Sequence, residues 1–176
     1  MKRTIISLIF ILSVLTTFSQ DINFNKFSYG FQLNKFQDEF GFGINVLSQE
    51  YKNFRLSAKG NINWLNHLDS ESNETWTEFF NNQFGINYHG CITNRIGLYA
   101  EGGLIILYPN TSFSSKSSEF GGYGLFGFEF FFTEDTKRNP SYFIELGGIG
   151  TGAYADKIIS NPIYANGFLI SVGYRF

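Results

Sequence analysis

The sequence predicts an all-β fold: eight antiparallel strands closed up-and-down into a transmembrane β-barrel. Three observations carry this. Apolar and small or polar residues alternate with period two over segments of about a dozen residues, the signature of strands with two unlike faces. The composition has 22 Phe, 10 Tyr and 19 Gly against 3 Pro, which excludes a disordered chain because such chains lack large groups to bury. The connections between the segments also alternate in character from one end of the strands to the other. A single Cys excludes a disulfide framework or a Cys-rich metal site, and a net charge of -2 gives no basic stripe for nucleic acid.

Taken in order, residues 1–19 read as a secretory signal peptide. Lys2 and Arg3 precede an apolar run over 5–15, and Thr17 and Ser19 place small residues at the -3 and -1 positions of a cleavage site. The run is shorter than the roughly 20 residues of a helical span, and no Cys near the junction offers a lipid anchor. Residues 20–176 are then one barrel domain. Its strands are expected at 27–34, 40–48, 54–65, 77–89, 96–108, 120–132, 142–154 and 163–176. In the third, Phe54, Leu56, Ala58, Gly60, Ile62 and Trp64 oppose Arg55, Ser57, Lys59, Asn61, Asn63 and Leu65. In the sixth, Phe120, Phe126, Phe128, Phe130 and Phe132 oppose Gly121, Tyr123, Gly127 and Glu129. Gly147, Gly148, Gly150 and Gly152 blur the period of the seventh. The eighth alternates most cleanly, with Tyr164, Asn166, Phe168, Ile170, Val172, Tyr174 and Phe176 on one face.

The connections at 49–53, 91–95 and 133–141 lie at one end, and those at 35–39, 66–76, 109–119 and 155–162 at the other. The second set is mostly longer and richer in Ser, Asn and acid. With eight strands, both mature termini fall beside the first set.

Two placements of the apolar face compete. In a soluble, lipocalin-like barrel it is the core and binds a hydrophobic ligand; in a membrane barrel it meets lipid. Strand lengths of a dozen residues exceed the five or six usual in soluble proteins. Glycine on the other face suits a narrow lumen better than a wet surface. Tyr29, Trp64, Trp76, Tyr88, Tyr108, Tyr142, Tyr154, Tyr164 and Tyr174 near strand ends match interfacial girdles. These favour lipid.

The closing residues add a resemblance. A last strand ending on Phe176, with apolar residues at alternate positions before it, resembles the C-terminal signature of bacterial outer-membrane β-barrels, which the barrel assembly machinery reads. With eight strands, nearly all of residues 20–176 is similar to the small OmpA/OmpX-type barrels. The resemblance implies that Phe168, Ile170, Val172, Tyr174 and Phe176 form an assembly signal. It further implies an integral outer-membrane protein in lipid and lipopolysaccharide, with periplasmic termini and periplasmic chaperones during biogenesis. A monomer is expected. Nothing follows the eighth strand, so attachment to peptidoglycan is not carried over.

Parity places Arg55, Lys59, Glu101, Glu129, Glu145 and Arg175 in the lumen, three cations and three anions at similar depth. Because an unpaired buried charge costs several kcal/mol, one internal ion network is expected. It would serve as a plug of paired side chains rather than as a gate or proton path. Eight strands leave an interior that side chains just fill, so an open diffusion pore is not expected.

Catalytic signals are sparse. His67, Asp69 and Ser70 bring a base, an acid and a hydroxyl into one loop, the set used by outer-membrane lipid A acyltransferases and deacylases, but without an oxyanion-hole signature. His89 is at the far end of its strand, and Cys91 lies alone in a turn. Asp69, Glu71, Glu74 and Glu78 lack the glycine turn and ligand order of a calcium loop. No catalytic, cofactor or metal residue is assigned. The leading expectation is a non-enzymatic barrel with a structural, adhesion or surface-interaction role, contacting a partner through loops 66–76 and 109–119. A lipid A-modifying enzyme and a secreted binder of a hydrophobic ligand stand as alternatives.

Overall fold

A computed structural model describes residues 27–37, 39–68, 73–132, 140–158 and 162–176. The signal-peptide reading of 1–19 lies outside them. The strands are β1 Ser28–Phe36, β2 Glu39–Leu47, β3 Phe54–Leu68, β4 Glu74–Thr93, β5 Ile96–Tyr108, β6 Glu119–Phe131, β7 Ser141–Gly150 and β8 Gly167–Arg175. Each pairs antiparallel with its chain neighbours, and β1 closes on β8 from Gly30 opposite Arg175 to Phe36 opposite Leu169. The result is a closed up-and-down barrel. Closure leaves no unpaired sheet edge.

All eight expected strands are present, and their bounds differ for local reasons. The 66–76 connection is partly strand, because β3 and β4 stay paired as far as Leu68 opposite Glu74. Phe40 stacks on Trp64 and packs edge-on against Trp76, binding this hairpin to β2. β7 stops at Gly150 rather than 154, since Gly152 turns the chain at φ +63°. β8 begins at Gly167 rather than 163, behind positive φ values at Ala165 and Gly167. Tyr154 and Ile163 keep only an isolated bridge.

That break corrects one expected girdle residue. Tyr164 does not share the face of Phe168; it turns into the barrel mouth and is fully buried. Glycine stands on both faces of the wall. Inward Gly127 and Gly85 make room for Tyr99 and Tyr123, whose rings or hydroxyls fill the space a Cβ would take. Gly124 and Gly150 face outward instead, where a Cβ would meet nothing.

The wall has two unlike faces throughout. Outward positions hold large apolar side chains on every strand, among them Phe31, Leu104, Phe126 and Phe168, each 47–69% exposed. The lumen is stacked in three layers between a turn end, where residues 49–53 and Arg175 lie, and a loop end, where 109–118, 151–158 and 162–166 lie. The six clustered charges occupy the turn end, while buried Glu39 at the loop end accepts from the Ala165 backbone N–H. Buried amides of Gln32, Asn34, Asn45, Asn61, Asn81 and Gln83 fill the middle. Apolar side chains, including Phe36, Leu65, Phe79 and Leu107, close the loop end.

Candidate functional site

The period-two pleat of five different strands aims six ionisable side chains at one region of the lumen. Arg55 and Lys59 come from β3, Glu101 from β5, Glu129 from β6, Glu145 from β7 and Arg175 from β8. The structure links them into an unbroken chain. Arg55 Nη2 stands 3.7 Å from Glu129 Oε2. Arg175 bridges Glu129 at 3.4 Å and Glu145 at 3.2 Å. Lys59 bridges Glu145 at 2.9 Å and Glu101 at 3.0 Å. Apart from Arg55, these side chains are at most 3% exposed.

Neutral donors complete the shell. Tyr99 donates its hydroxyl to Glu145 at 2.8 Å, and Tyr123 donates to Glu101 at 2.9 Å. Ser57 and the Asn87 amide also donate to Glu101, at 3.0 and 3.1 Å, and Ser141 donates to Glu129 at 2.7 Å. The Arg175 guanidinium lies 4.0 Å above the Phe143 ring centroid and donates through Nε to Asn45 Oδ1 at 3.2 Å. At the rim, His89 Nδ1 is 3.4 Å from the exposed Glu50 carboxylate, and its Nε2 is 3.9 Å from Glu129. Each carboxylate thus meets at least one cation and at least one neutral donor, and the interior cluster carries no net charge. Such an arrangement holds charge in place and ties β3 to β5, β6, β7 and β8 across the lumen. Among the described residues no group of three His, Cys, Asp or Glu side chains is arranged to hold a metal.

The loop end carries a second assembly. Phe113, from the connection between β5 and β6, packs edge-to-face on Phe79 and Tyr164 with centroids 6.3 and 5.1 Å away, and Phe79 meets Tyr164 at 5.2 Å. Hydrogen bonds hold this cap down. Lys157 donates its backbone N–H to the Phe113 carbonyl at 3.1 Å and its Nζ to the Thr111 carbonyl at 2.6 Å. Ser115 donates to Asp156 from its backbone N–H at 2.8 Å and from its hydroxyl. Those bonds hold the Asp156 carboxyl below its ordinary range, while burial pushes the Tyr164 phenol up. The 109–119 segment is therefore a strapped cap and not a free polar loop, because its central Phe has an apolar mouth to enter.

Sequence parity supplies the inward amides and tyrosines as readily as the charges, so Tyr99, Tyr123 and the amide layer were findable. Phe113 was not, since nothing periodic marks it. The remaining candidates are dispersed. His67 Nε2 sits 2.9 Å from Thr77 Oγ1, and Asp69, Ser70 and Glu71 lie outside the described residues. Glu78 accepts from the Asn110 amide at 2.9 Å. Cys91 is exposed. Phe168, Ile170, Val172, Tyr174 and Phe176 line the outer wall by the seam, where Phe176 and Tyr29 exchange backbone hydrogen bonds of 2.8 and 3.0 Å.

No family profile and no curated protein matches the sequence. The fold has solved counterparts. The N-terminal β-barrel domain of Pseudomonas aeruginosa OprF is similar over 86% of this chain and 98% of its own, at 13% identity and a TM-score of 0.56. OprG of the same organism matches 85% of this chain and 95% of its own, at 11% identity and a TM-score of 0.49. Yersinia pestis Ail matches 85% and 98% respectively, at 11% identity and a TM-score of 0.48. The OprF likeness establishes a shared eight-stranded barrel fold.

Proposed function

We propose that this chain is an integral outer-membrane β-barrel that acts as a lipid-embedded scaffold, without enzymatic activity and without an open pore. One observation carries the membrane reading: large apolar side chains stand exposed on the outward face of all eight strands, as a belt around the barrel. In water such a belt would far exceed the apolar patches that soluble monomers tolerate; in hydrocarbon it is the required surface. Aromatic clusters edge it, with Phe40, Trp64 and Trp76 toward the loop end and Phe132, Tyr142 and Tyr174 toward the turn end.

On this reading the turn end and both termini of the processed chain face the periplasm, and the loop end meets lipopolysaccharide and any surface partner. Phe168, Ile170, Val172, Tyr174 and Phe176 serve as the assembly signal. The paired charges act as a structural lock, and the lock, the amide layer and the Phe113 cap together block solute flow. The decisive experiment is alkaline washing of membranes from cells making the chain, paired with detergent gels of boiled and unboiled protein. Retention in the pellet and a heat-dependent shift in migration are expected. Release into the supernatant would overturn the membrane reading, and discrete conductance steps in planar bilayers would overturn the closed lumen.

A further inference from the structure

Lys35, Phe40, Trp64 and Glu78 share one register row at the loop-side edge, and between that row and the turn-side aromatic edge the outward positions of the described residues are apolar or glycine with one exception, Asn82 on β4. Its neighbours on the strand fix its direction. Asn81 and Gln83 are buried in the lumen, whereas Phe80 and Phe84 are half exposed on the outer wall. Asn82 lies four residues from Glu78, which is level with Trp64, and six from Tyr88 on the same strand and face. With a rise of about 3.3 Å and a tilt of about 40°, these steps cover roughly 10 and 15 Å along the membrane normal. Asn82 therefore stands inside a hydrocarbon layer about 25 Å thick, roughly 10 Å from its loop-side edge.

Two further features make this amide conspicuous. Among the described residues its side chain has no hydrogen-bond partner. Directly opposite it in register is Gly60 on β3, which leaves a notch of about 290 Å³ bounded by Phe42, Ile44, Ile62 and Phe80. A Cβ at Gly60 would stand 3.4 Å from Asn82 Oδ1, so the glycine keeps the amide uncovered.

We propose that this face docks a second copy of the same chain about a twofold axis that pairs the two Asn82 amides. The inference rests on the membrane reading, because in water the amide needs no protein partner. In hydrocarbon an unmade amide hydrogen bond costs several kcal/mol. Acyl chains offer neither donor nor acceptor, and the nearer headgroup edge is roughly 10 Å away. An amide carries a donor and an acceptor, so it is complementary to its own twofold image, and the pair closes two hydrogen bonds. A twofold contact is self-complementary by construction, and the notch beside Asn82 gives the opposing side chains room to approach. The wall on the far side, with Ile144, Leu146, Ile170 and Val172, has no such group. On this proposal the chain, expected from the sequence to be a monomer, forms a dimer through β3 and β4.

Cys91, exposed and the chain's one cysteine, provides the label. Full-length processed chain bearing donor or acceptor dyes there would be mixed, refolded into phosphatidylcholine vesicles and diluted with lipid. Energy transfer above the random-proximity level is expected for the parent protein. Asn82→Leu should weaken association roughly ten-fold or more, the scale of two membrane hydrogen bonds. Gly60→Leu, which keeps the amide but covers it, should do the same and decides the matter if Asn82→Leu does not refold. Ile144→Ala on the far wall should leave transfer unchanged. Transfer at the random level in the parent protein, or undiminished transfer in both variants, overturns the dimer. Loss of the chain from vesicles on alkaline washing would instead overturn the membrane reading, which separates the two failures.

Discussion

Lys59 offers the sharpest test of the interior lock. Its ammonium lies 3.0 Å from Glu101 and 2.9 Å from Glu145. At an effective dielectric of about 20 each contact corresponds to roughly 5 kcal/mol of attraction, against a desolvation cost of several kcal/mol for burying the ammonium. Lys59→Met relieves that cost but leaves Glu101 buried without the cation it pairs with, and gives the cluster a net charge of -1. Glu145 keeps Arg175 at 3.2 Å, and Glu101 keeps the hydroxyls of Ser57 and Tyr123 and the Asn87 amide. The loss is therefore placed at the lower end of the range for a broken buried pair, about 3 kcal/mol. Glu101→Gln alone should cost a similar amount by stranding part of the Lys59 charge. The double variant Lys59→Met with Glu101→Gln restores neutrality and should recover at least about 2 kcal/mol of the summed single losses. Urea unfolding of the barrel in detergent micelles or vesicles, followed by Trp fluorescence, measures all four corners of the cycle. If Lys59→Met changes stability by less than about 0.5 kcal/mol, or if the two losses simply add, the six charges are not an energetically coupled network.

Other perturbations test separate parts of the same reasoning. Glu129→Ala and Glu145→Ala should each lower the unfolding midpoint in detergent, because each strands Arg175 beside a single remaining carboxylate; no change in either speaks against the lock. Phe113→Ala should destabilise by up to about 3 kcal/mol, the low end for a buried Phe because the strap can settle inward. It should still produce no conductance in planar bilayers, since the amide and charge layers remain. Asp156 has its folded value depressed below 3.8 by Ser115, so the strap it fastens is fully stabilised above that pH and loosens as pH falls through the folded value. Hydrogen exchange at the Ser115 amide should accelerate only below about pH 4, and Asp156→Ala should remove the pH dependence. Gly127→Ala would drive a methyl into the Tyr99 ring and should impair refolding, whereas outward Gly124→Ala meets open space and should be neutral; equal effects would place the glycines' role elsewhere.

The strands were legible because lipid and lumen impose opposite demands on alternate residues, and that contrast survives in Phe54 to Trp64 or Phe168 to Tyr174 without any knowledge of neighbours. Their ends were less so. β7 and β8 stop where Gly152, Ala165 and Gly167 adopt positive φ, a backbone choice that only the packing of Tyr164 into the mouth explains, and an Ala at positive φ is not something sequence announces. The charged site was half legible. Parity aims Lys59 and Glu145 inward, but their contact joins residues 86 apart on strands that are not neighbours, so it depends on how the closed barrel staggers its strands. Phe113 lay beyond reach, since a lone aromatic in a polar segment carries no period.

Asn82 shows what the averaging of two faces conceals. A mean hydropathy of -0.08 sums an outer wall of Phe, Ile and Leu with a lumen of amides and charges, so one more Asn changes nothing in it. Assigned by parity, the same residue is no longer one of many asparagines. Asn61, Asn81 and Asn34 form a hydrogen-bonded set inside the barrel, with links of 2.7 and 2.8 Å. Asn82, one position along, has the same amide on the opposite face, where lipid supplies no partner. Identical chemistry is stabilising on one side of the wall and costly on the other. If dimerisation through Asn82 fails in vesicles, the amide must be met there by water or a displaced headgroup drawn into the notch at Gly60, and filling the notch with Leu would then stabilise the monomer. Stability of the Gly60→Leu barrel, measured beside its association, separates these outcomes.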